Sequence, residues 1–303
     1  MIDFRHIEPE DKIEYEKLSF SERERGCETS FANLFMWGRQ KIAFLYGQAL
    51  VFSQFNRRSV YPYPIGAGDK KAALDAIIND AAERGIPCRI TCLDFEAKQE
   101  IERLYQGKFH FHNDRDSFDY VYDIECLAEL AGKKYQKKRN HFNKFCANNP
   151  DYRVEPISES NMDAVSRLVE EWYKRRAAED PQGDFMMEQA AISKALKFYR
   201  ELDLEGLVLF VGDSPVAVTL GSRMSENCFD VHFEKALAEV DGVYAAVNCE
   251  FARYIKAKYP DVKFLNREDD MGIEGLRKAK ESYYPHHMVE KYWACLLEDG
   301  YEY

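Results

Sequence analysis

Gly206-Leu-Val-Leu-Phe-Val-Gly-Asp-Ser-Pro-Val-Ala-Val-Thr-Leu-Gly-Ser222 decides the fold class. Two apolar runs, 206–211 and 216–222, flank Gly212-Asp-Ser-Pro215, which is turn chemistry. Runs of that length bounded by turn residues read as buried strands. A third strand follows at Cys228–Glu234, then a helix at Val243–Lys258, a strand at Val262–Asn266, a helix at Ile273–Tyr284 ended by Pro285, and a last strand at Met288–Leu297. Upstream lie a short strand at Tyr152–Pro156 and a helix that Ser160 or Asn161 caps, running to about Arg176. Its inward stripe is Met162, Val165, Leu168, Val169 and Trp172. A further helix is expected from Met187 to Leu202.

The first half of the chain repeats this order. Residues 10 to 40 read as helical, and strands follow at Lys41–Tyr46, Ala49–Phe55 and Val60–Pro64. Next come a helix at Asp69–Arg84 stopped by Gly85, a strand at Cys88–Leu93, a helix at Phe95–Tyr105 and a strand at Ser117–Asp123. Strands that meander and then alternate with helices imply an α/β chain with mixed sheets covered by helices. The parallel order suggests one unit used twice. The expected division is residues 1–131, a joining helix at 132–150, and residues 151–303.

The chain has 303 residues, 46% hydrophobic and 31% charged, which excludes disordered and fibrous classes. A net charge of -11 argues against a general nucleic-acid coat. No stretch reaches the length of a membrane span, since Leu204–Leu220 is broken at 212–215. The start lacks a signal peptide's basic and apolar regions, so a cytoplasmic location is expected. The eight cysteines are scattered and read as small buried hydrophobes. Cys88 and Cys92 lack the second ligand pair that zinc needs.

Four constellations carry chemistry. Lys133-Lys-Tyr-Gln-Lys-Lys-Arg-Asn-His-Phe-Asn-Lys144 holds six basic residues and no acid. On a helix, Tyr135, Phe142 and Cys146 form an apolar seat, with Lys133, Lys137 and Lys144 opposite and Lys134 and Lys138 flanking. It is either a solvated linker or a site for a phosphate-bearing partner, bound through Lys133, Lys134, Lys137, Lys138 and Arg139. Asn266-Arg-Glu-Asp-Asp-Met-Gly-Ile-Glu-Gly275 follows a strand and opens a helix carrying Arg277, Lys280, Tyr283 and Tyr284. Its charges are either a salt-bridge network or a site using Asn266, Arg267, Glu268, Asp269 and Asp270, with Glu268 or Asp269 as general base. Metal ligation is not expected there, because the spacing lacks a calcium loop's rhythm. In the strand Cys228–Glu234, simple alternation puts Phe229, Val231 and Phe233 on one face and Asp230, His232 and Glu234 on the other. That polar face is either a site lining or a solvent face. Val240-Asp-Gly-Val-Tyr-Ala-Ala-Val-Asn248 opens a helix, where backbone amides can hold a pyrophosphate and Asn248 can meet the donor. No P-loop, dinucleotide glycine triplet or nucleophile elbow is present.

These segments, together with Ser30-Phe-Ala-Asn-Leu-Phe-Met-Trp37, Val231-His-Phe-Glu-Lys235 and Glu290-Lys-Tyr292, resemble a bacterial family related to the C-terminal domain of phosphatidylglycerol lysyltransferase. The resemblance covers nearly the whole chain. It implies two GNAT-like (acyl-CoA N-acyltransferase) domains in tandem, in the arrangement of Fem-type aminoacyltransferases. It implies an acyl- or aminoacyl-transferase that moves a group from a phosphate-bearing donor, an acyl-CoA or an aminoacyl-tRNA, to an amine or hydroxyl acceptor. That acceptor is a small molecule or lipid-like. The donor is a co-substrate, with no covalently bound cofactor. The stretch Glu239-Val-Asp-Gly242-Val-Tyr244 stands where GNAT enzymes carry their acetyl-CoA loop. Glu268 or Asp269 would accept a proton, Tyr283 or Tyr284 would return one, and His232 and Glu234 would line the groove. The alternatives are a GNAT-shaped binding or regulatory protein without catalysis, and an RNA-contacting accessory protein.

Overall fold

The computed structural model describes residues 1–20, 25–55, 58–181, 183 and 185–297. Its contacts divide the chain into two units. The first comprises Met1–Asp119, Asp269–Glu274 and the segment from Met288 onward; the second comprises Tyr120–Glu268 and Gly275–His287. This differs from the expected boundary at 131, because each unit takes a segment from the other half of the sequence.

In the first unit the order is β1 (Arg5–His6), α1 (Asp11–Ser19), α2 (Phe31–Trp37), β2 (Gln40–Leu45), β3 (Gln48–Phe55), β4 (Arg58–Pro62), α3 (Lys70–Arg84), β5 (Arg89–Leu93), α4 (Phe95–Leu104) and β6 (Phe109–Asn113). The helix expected over 10–40 is therefore broken into two, and the part at 21–24 lies outside the described residues. The expected starts of α3 and α4 hold: Asp69 and Asp94 accept hydrogen bonds from the amides of Ala72 and Ala97. Leu74 and Ile77 of α3, Ile101 of α4, and Leu50, Tyr61, Ile90 and Leu93 of the strands make the core.

The chain then runs through β7 (Asp119–Asp123), α5 (Ile124–Glu129), α6 (Gln136–Asn148), β8 (Arg153–Pro156), α7 (Met162–Glu179), α8 (Met186–Lys197), β9 (Glu205–Val211), β10 (Ser214–Arg223), β11 (Cys228–Ala236), α9 (Val243–Lys258), β12 (Phe264–Asn266), α10 (Glu274–Glu281), β13 (His287–Val289) and β14 (Tyr292–Leu296). Strand β6 and helix α5 were not foreseen, and the expected last strand is two strands. On α7 the buried residues are Val165, Leu168, Val169 and Tyr173, while Met162 and Trp172 of the expected stripe are only half-buried.

Both sheets have seven strands, ordered β1-β2-β3-β4-β5-β14-β6 and β13-β7-β12-β11-β10-β9-β8. Each contains a parallel pair among the described residues, β4 with β5 and β11 with β12. In each sheet the strand beyond that pair comes from the other half of the chain, β14 in the first and β7 in the second. The two units thus share one plan and exchange a strand, which a linear reading assigns to the wrong unit.

Residues Thr219, Leu220 and Gly221 of β10 pair with Glu234, Phe233 and Val231. His232 is therefore an extra residue, a β-bulge. Gly221 is required beside it, since a Cβ there would collide with the Asp230 carbonyl and the Phe229 ring. Gly221→Ala should cost about 1–3 kcal/mol through forced overpacking, measured by denaturant unfolding with an unchanged m-value.

Candidate active site

The bulge corrects the expected polar face. Paired residues of antiparallel strands share a side, so Phe229, Val231 and Glu234 lie with Thr219 and Gly221 on one face. Asp230, Phe233 and Lys235 lie with Val218, Leu220 and Ser222 on the other. Side-chain contacts agree. Phe229 packs on Phe251 of α9, with ring centroids 5.9 Å apart. Lys235 bonds Glu188 of α8 at 2.7 Å and lies 4.0 Å from the ring of Trp172.

Strands β11 and β12 run in register only from Cys228 and Phe264 to Asp230 and Asn266. Beyond this β12 ends, and Arg267 and Glu268 bond the backbone of Tyr120 at 2.9 and 3.1 Å. Strand β11 runs on to Ala236 without β12, which leaves a gap in the pairing at the carboxyl ends of the parallel strands, the place where open α/β sheets bind ligands. Each face of the gap carries one polar pair.

On the α9 face, Arg267 Nη2 bonds Glu234 Oε1 at 3.1 Å. Burial opposes the charge on Arg267, but Glu234 and the phenols of Tyr122 and Tyr283 hold its pKa above the ordinary value. Asn248 Nδ2 reaches Glu234 Oε2 at 3.5 Å. Arg267 Nη1, Asn248 Oδ1 and Thr219 Oγ1 are buried with no hydrogen-bond partner among the described residues. Such groups are costly unless something fills them. Tyr283 is buried, and burial pushes its phenol pKa up. Lys138 Nζ lies 3.8 Å from its ring centroid, and Arg267 Cζ lies 5.1 Å away. Burial, then Arg267 and Lys137, push the Lys138 ammonium down to about 8.

On the opposite face, His232 Nε2 meets Ser222 Oγ at 2.8 Å. Its Nδ1 lies 3.4 Å from both Asp230 Oδ2 and Glu268 Oε1. Glu268 adopts φ 55°, a left-handed backbone rare for a side-chain-bearing residue, and its amide bonds the buried Asn266 side chain at 2.7 Å. These atoms have the spacing of a metal-ligand set, as do Cys27, Glu28 and Asp119 of the first unit. In the first-unit cluster the Lys291 ammonium already stands among the acids.

A profile of the family described as "Phosphatidylglycerol lysyltransferase, C-terminal" matches residues 21–295. The chain belongs to this family. A conserved protein of unknown function from Bacteroides thetaiotaomicron has the same structure at a TM-score of 0.92, with 36% identity over 98% of this chain and 100% of that one. The structure of L-PGS from Bacillus licheniformis gives 0.69, with 15% identity over 98% and 94%. A tandem GNAT protein from the clavulanic acid biosynthesis pathway gives 0.51, with 8% identity over 99% of each chain. These last two likenesses are of fold, which is the tandem GNAT-like one. An uncharacterised protein of Mycoplasmoides gallisepticum is 22% identical over 199 residues, 65% of this chain; the aligned part is 59% of that relative's length.

In this lysyltransferase-family chain the expected site residues separate. Glu234, Asn248, Arg267, Tyr283 and Lys138 come together on the α9 face. His232, Glu268 and Asn266 belong with the other face, so Glu268 and Tyr283 do not address one point. Asp269 and Asp270 fall in the first unit. There Asp270 is buried and bonds Arg115 at 3.4 Å and the Gly272 amide at 2.9 Å. Lys280 is buried, bonding the Arg267 carbonyl, and Arg277 is half-buried on α10.

The basic helix behaves as an amphipathic element, with Phe145 as its buried anchor against Val243, Ala246 and Val247. Tyr135 is buried too, whereas Phe142 and Cys146 are half-buried. Arg139 bonds the carbonyls of Leu130 and Gly132, and Lys144 pairs with Asp241, so both are structural. Lys133, Lys134 and Lys137 are exposed. Lys134 Nζ lies 5.0 and 5.7 Å from the rings of Tyr135 and the exposed Tyr284. Signals missed in the sequence were Ser222, Thr219, Tyr122, and the Glu28–Asp119–Lys291 cluster. Only the bulge and the strand exchange bring them into play. No helix among the described residues is long and apolar enough to cross a membrane.

Proposed function

We propose that the chain is an aminoacyltransferase that moves an aminoacyl group from a charged tRNA to an amine or hydroxyl acceptor. The observation that carries this reading is a strip of lysines that runs from Lys133 and Lys134, just ahead of α6, onto the helix. Among the described residues, no acid pairs with Lys133, Lys134, Lys137 or Lys138. Two of these lysines sit on tyrosine rings, and the strip leads to Arg267 in the gap. Lysines interleaved with an exposed ring suit a single-stranded nucleic-acid end, phosphates on the ammonium groups and a base on Tyr284. The unfilled atoms of the gap match what an aminoacyl ester offers. Arg267 Nη1 donates to its carbonyl oxygen, and Asn248 Oδ1 accepts from its ammonium. A plain acyl group offers the carbonyl oxygen but no ammonium, and so would leave Asn248 Oδ1 without a donor.

The loop at the start of α9 argues against acyl-CoA as donor. A Cβ at Gly242 would collide with the His141 carbonyl of α6, so α6 backbone lies on the turn where a pyrophosphate would rest. The loop 237–242 carries no Lys or Arg of its own, and its two acids, Glu239 and Asp241, take Arg175 and Lys144. The family relation supports transfer of an aminoacyl group, as its name records lysyl transfer to phosphatidylglycerol.

The test is fluorescence anisotropy with charged tRNA and with acetyl- and palmitoyl-CoA, followed by transfer to ethanolamine or to phosphatidylglycerol vesicles. Binding and consumption of charged tRNA alone are expected. The triple change Lys133→Gln, Lys134→Gln and Lys137→Gln should weaken tRNA binding at least tenfold. It should also flatten the log–log salt slope by about 2, at roughly 0.7 per lost phosphate contact. Consumption of a CoA thioester, or an unchanged salt slope, would overturn the reading.

A further inference from the structure

We propose that Lys138 is the proton acceptor of the transfer step, working from the same face of the sheet as Tyr283. This inference rests on the transferase reading above. It follows from the bulge at His232, which removes the obvious base. Glu268 faces His232, on the far side from Tyr283. Glu234 is on the right side, but one oxygen takes Arg267 and the other faces Asn248. Lys138 remains. It is half-buried, stacked 3.8 Å above Tyr283, with no carboxylate partner among the described residues.

The groups facing it are Tyr283 of α10, Arg267 beyond β12, Glu234 of β11, and Lys137 of its own helix. Burial and the two cations favour the neutral amine and Glu234 opposes them; the balance puts the ammonium at about 8. A base poised near the working pH is the useful kind.

The proton balance closes. The acceptor nitrogen attacks the ester carbonyl carbon, and a C–N bond forms. The excess proton on nitrogen passes to Lys138 Nζ. The C–O bond to the donor's ribose breaks, and the leaving oxygen takes the Tyr283 phenolic proton. Lys138 then returns its proton to Tyr283, its neighbour. A hydroxyl acceptor follows the same course with a C–O bond formed. Arg267 Nη1 lies by the same ring, with a free donor for the carbonyl oxygen as charge builds on it.

Two measurements test this. In trace labelling of the full chain with acetic anhydride between pH 6 and 11, read by peptide mass spectrometry, Lys138 should titrate near pH 8, well below exposed Lys133. Titration alongside Lys133 would overturn the proposal. In single-turnover transfer from charged tRNA, the wild-type rate should rise with pH and level off above about 8. Lys138→Met should lose 10²–10⁴-fold in rate, with donor affinity changed less than tenfold. Lys138→Arg should keep donor affinity and lose the rate. If Lys138→Met transfers at the wild-type rate, Lys138 is not the base and the transferase reading survives. If the wild-type chain transfers from no charged tRNA, that reading falls and the base assignment with it, whatever the labelling shows.

Discussion

Lys291→Met should destabilise the first unit by about 3–5 kcal/mol, the loss typical of removing one partner from a buried ion pair. Lys291 Nζ sits 2.6 Å from Asp119 Oδ1 and 2.7 Å from Glu28 Oε1, and the Lys291 and Asp119 side chains are 4% and 0% exposed. Asp119 Oδ2 also accepts the Cys27 amide at 2.7 Å, so the cluster fixes the chain at 26–29. Gly26 packs where a Cβ would strike the Lys291 side chain. Without the ammonium, the buried Asp119 carboxylate is left unneutralised beside the partly exposed Glu28. Burial already pushes the Glu28 pKa up while Lys291 pulls it down and Asp119 adds to the rise. In the variant Glu28 should therefore take a proton more readily, so the deficit should be full at pH 7.5 and shrink as pH falls toward the carboxylate range. The parent's own Lys291 contribution has the opposite window. Its pKa lies well above the ordinary lysine value, so that stability is whole at neutral pH and is lost only as strongly alkaline pH is passed. Urea unfolding of parent and variant at pH 7.5 and 5 measures the deficit and its shrinkage. A loss below 1 kcal/mol at pH 7.5 would mean that water reaches the cluster.

This cluster shows where sequence reading stops. Cys27, Glu28, Asp119 and Lys291 are up to 264 positions apart, and of them only Lys291 lies in a segment the sequence reading singled out, Glu290-Lys-Tyr292. Local signals served well where local physics decides. Asp69 and Asp94 cap their helices, Gly85 ends α3 at φ 65°, and α9 spans Val243–Lys258 as its pattern implies. Period-two alternation failed on β11 because one inserted residue turns every later side chain over, and nothing in Cys228–Glu234 marks His232 as that residue. The signal was Gly221 on the partner strand, a glycine inside an otherwise apolar run. The division of units failed for a related reason. Strands β7 and β14 each satisfy a sheet built from the other half of the chain, and composition is blind to such an exchange. The basic stretch was legible as a helix with an exposed basic face, but the inward turn of Lys138 needed Tyr283 and Arg267 in place.

Arg267→Met should cost the second unit about 3–5 kcal/mol for the same electrostatic reason, since Glu234 loses its partner where both side chains are about seven-eighths buried (13% and 14% exposed). It should abolish transfer as well, and the two losses must be separated before Arg267 is credited with a role toward substrate. The double change Arg267→Met with Glu234→Leu removes both charges and leaves no orphaned carboxylate. Replacing a buried ion pair by apolar groups of similar size is often close to neutral, so the double variant should recover most of the stability that Arg267→Met loses. If Arg267 serves only to neutralise Glu234, transfer should return together with the fold. If Arg267 Nη1 also holds the substrate carbonyl, the refolded double variant should bind charged tRNA through the α6 lysines and still fail to transfer. Urea unfolding, anisotropy and single-turnover rates on the three variants decide between these outcomes. The unpaired Nη1 favours the second, because a guanidinium needed only for Glu234 would not leave a buried donor unspent.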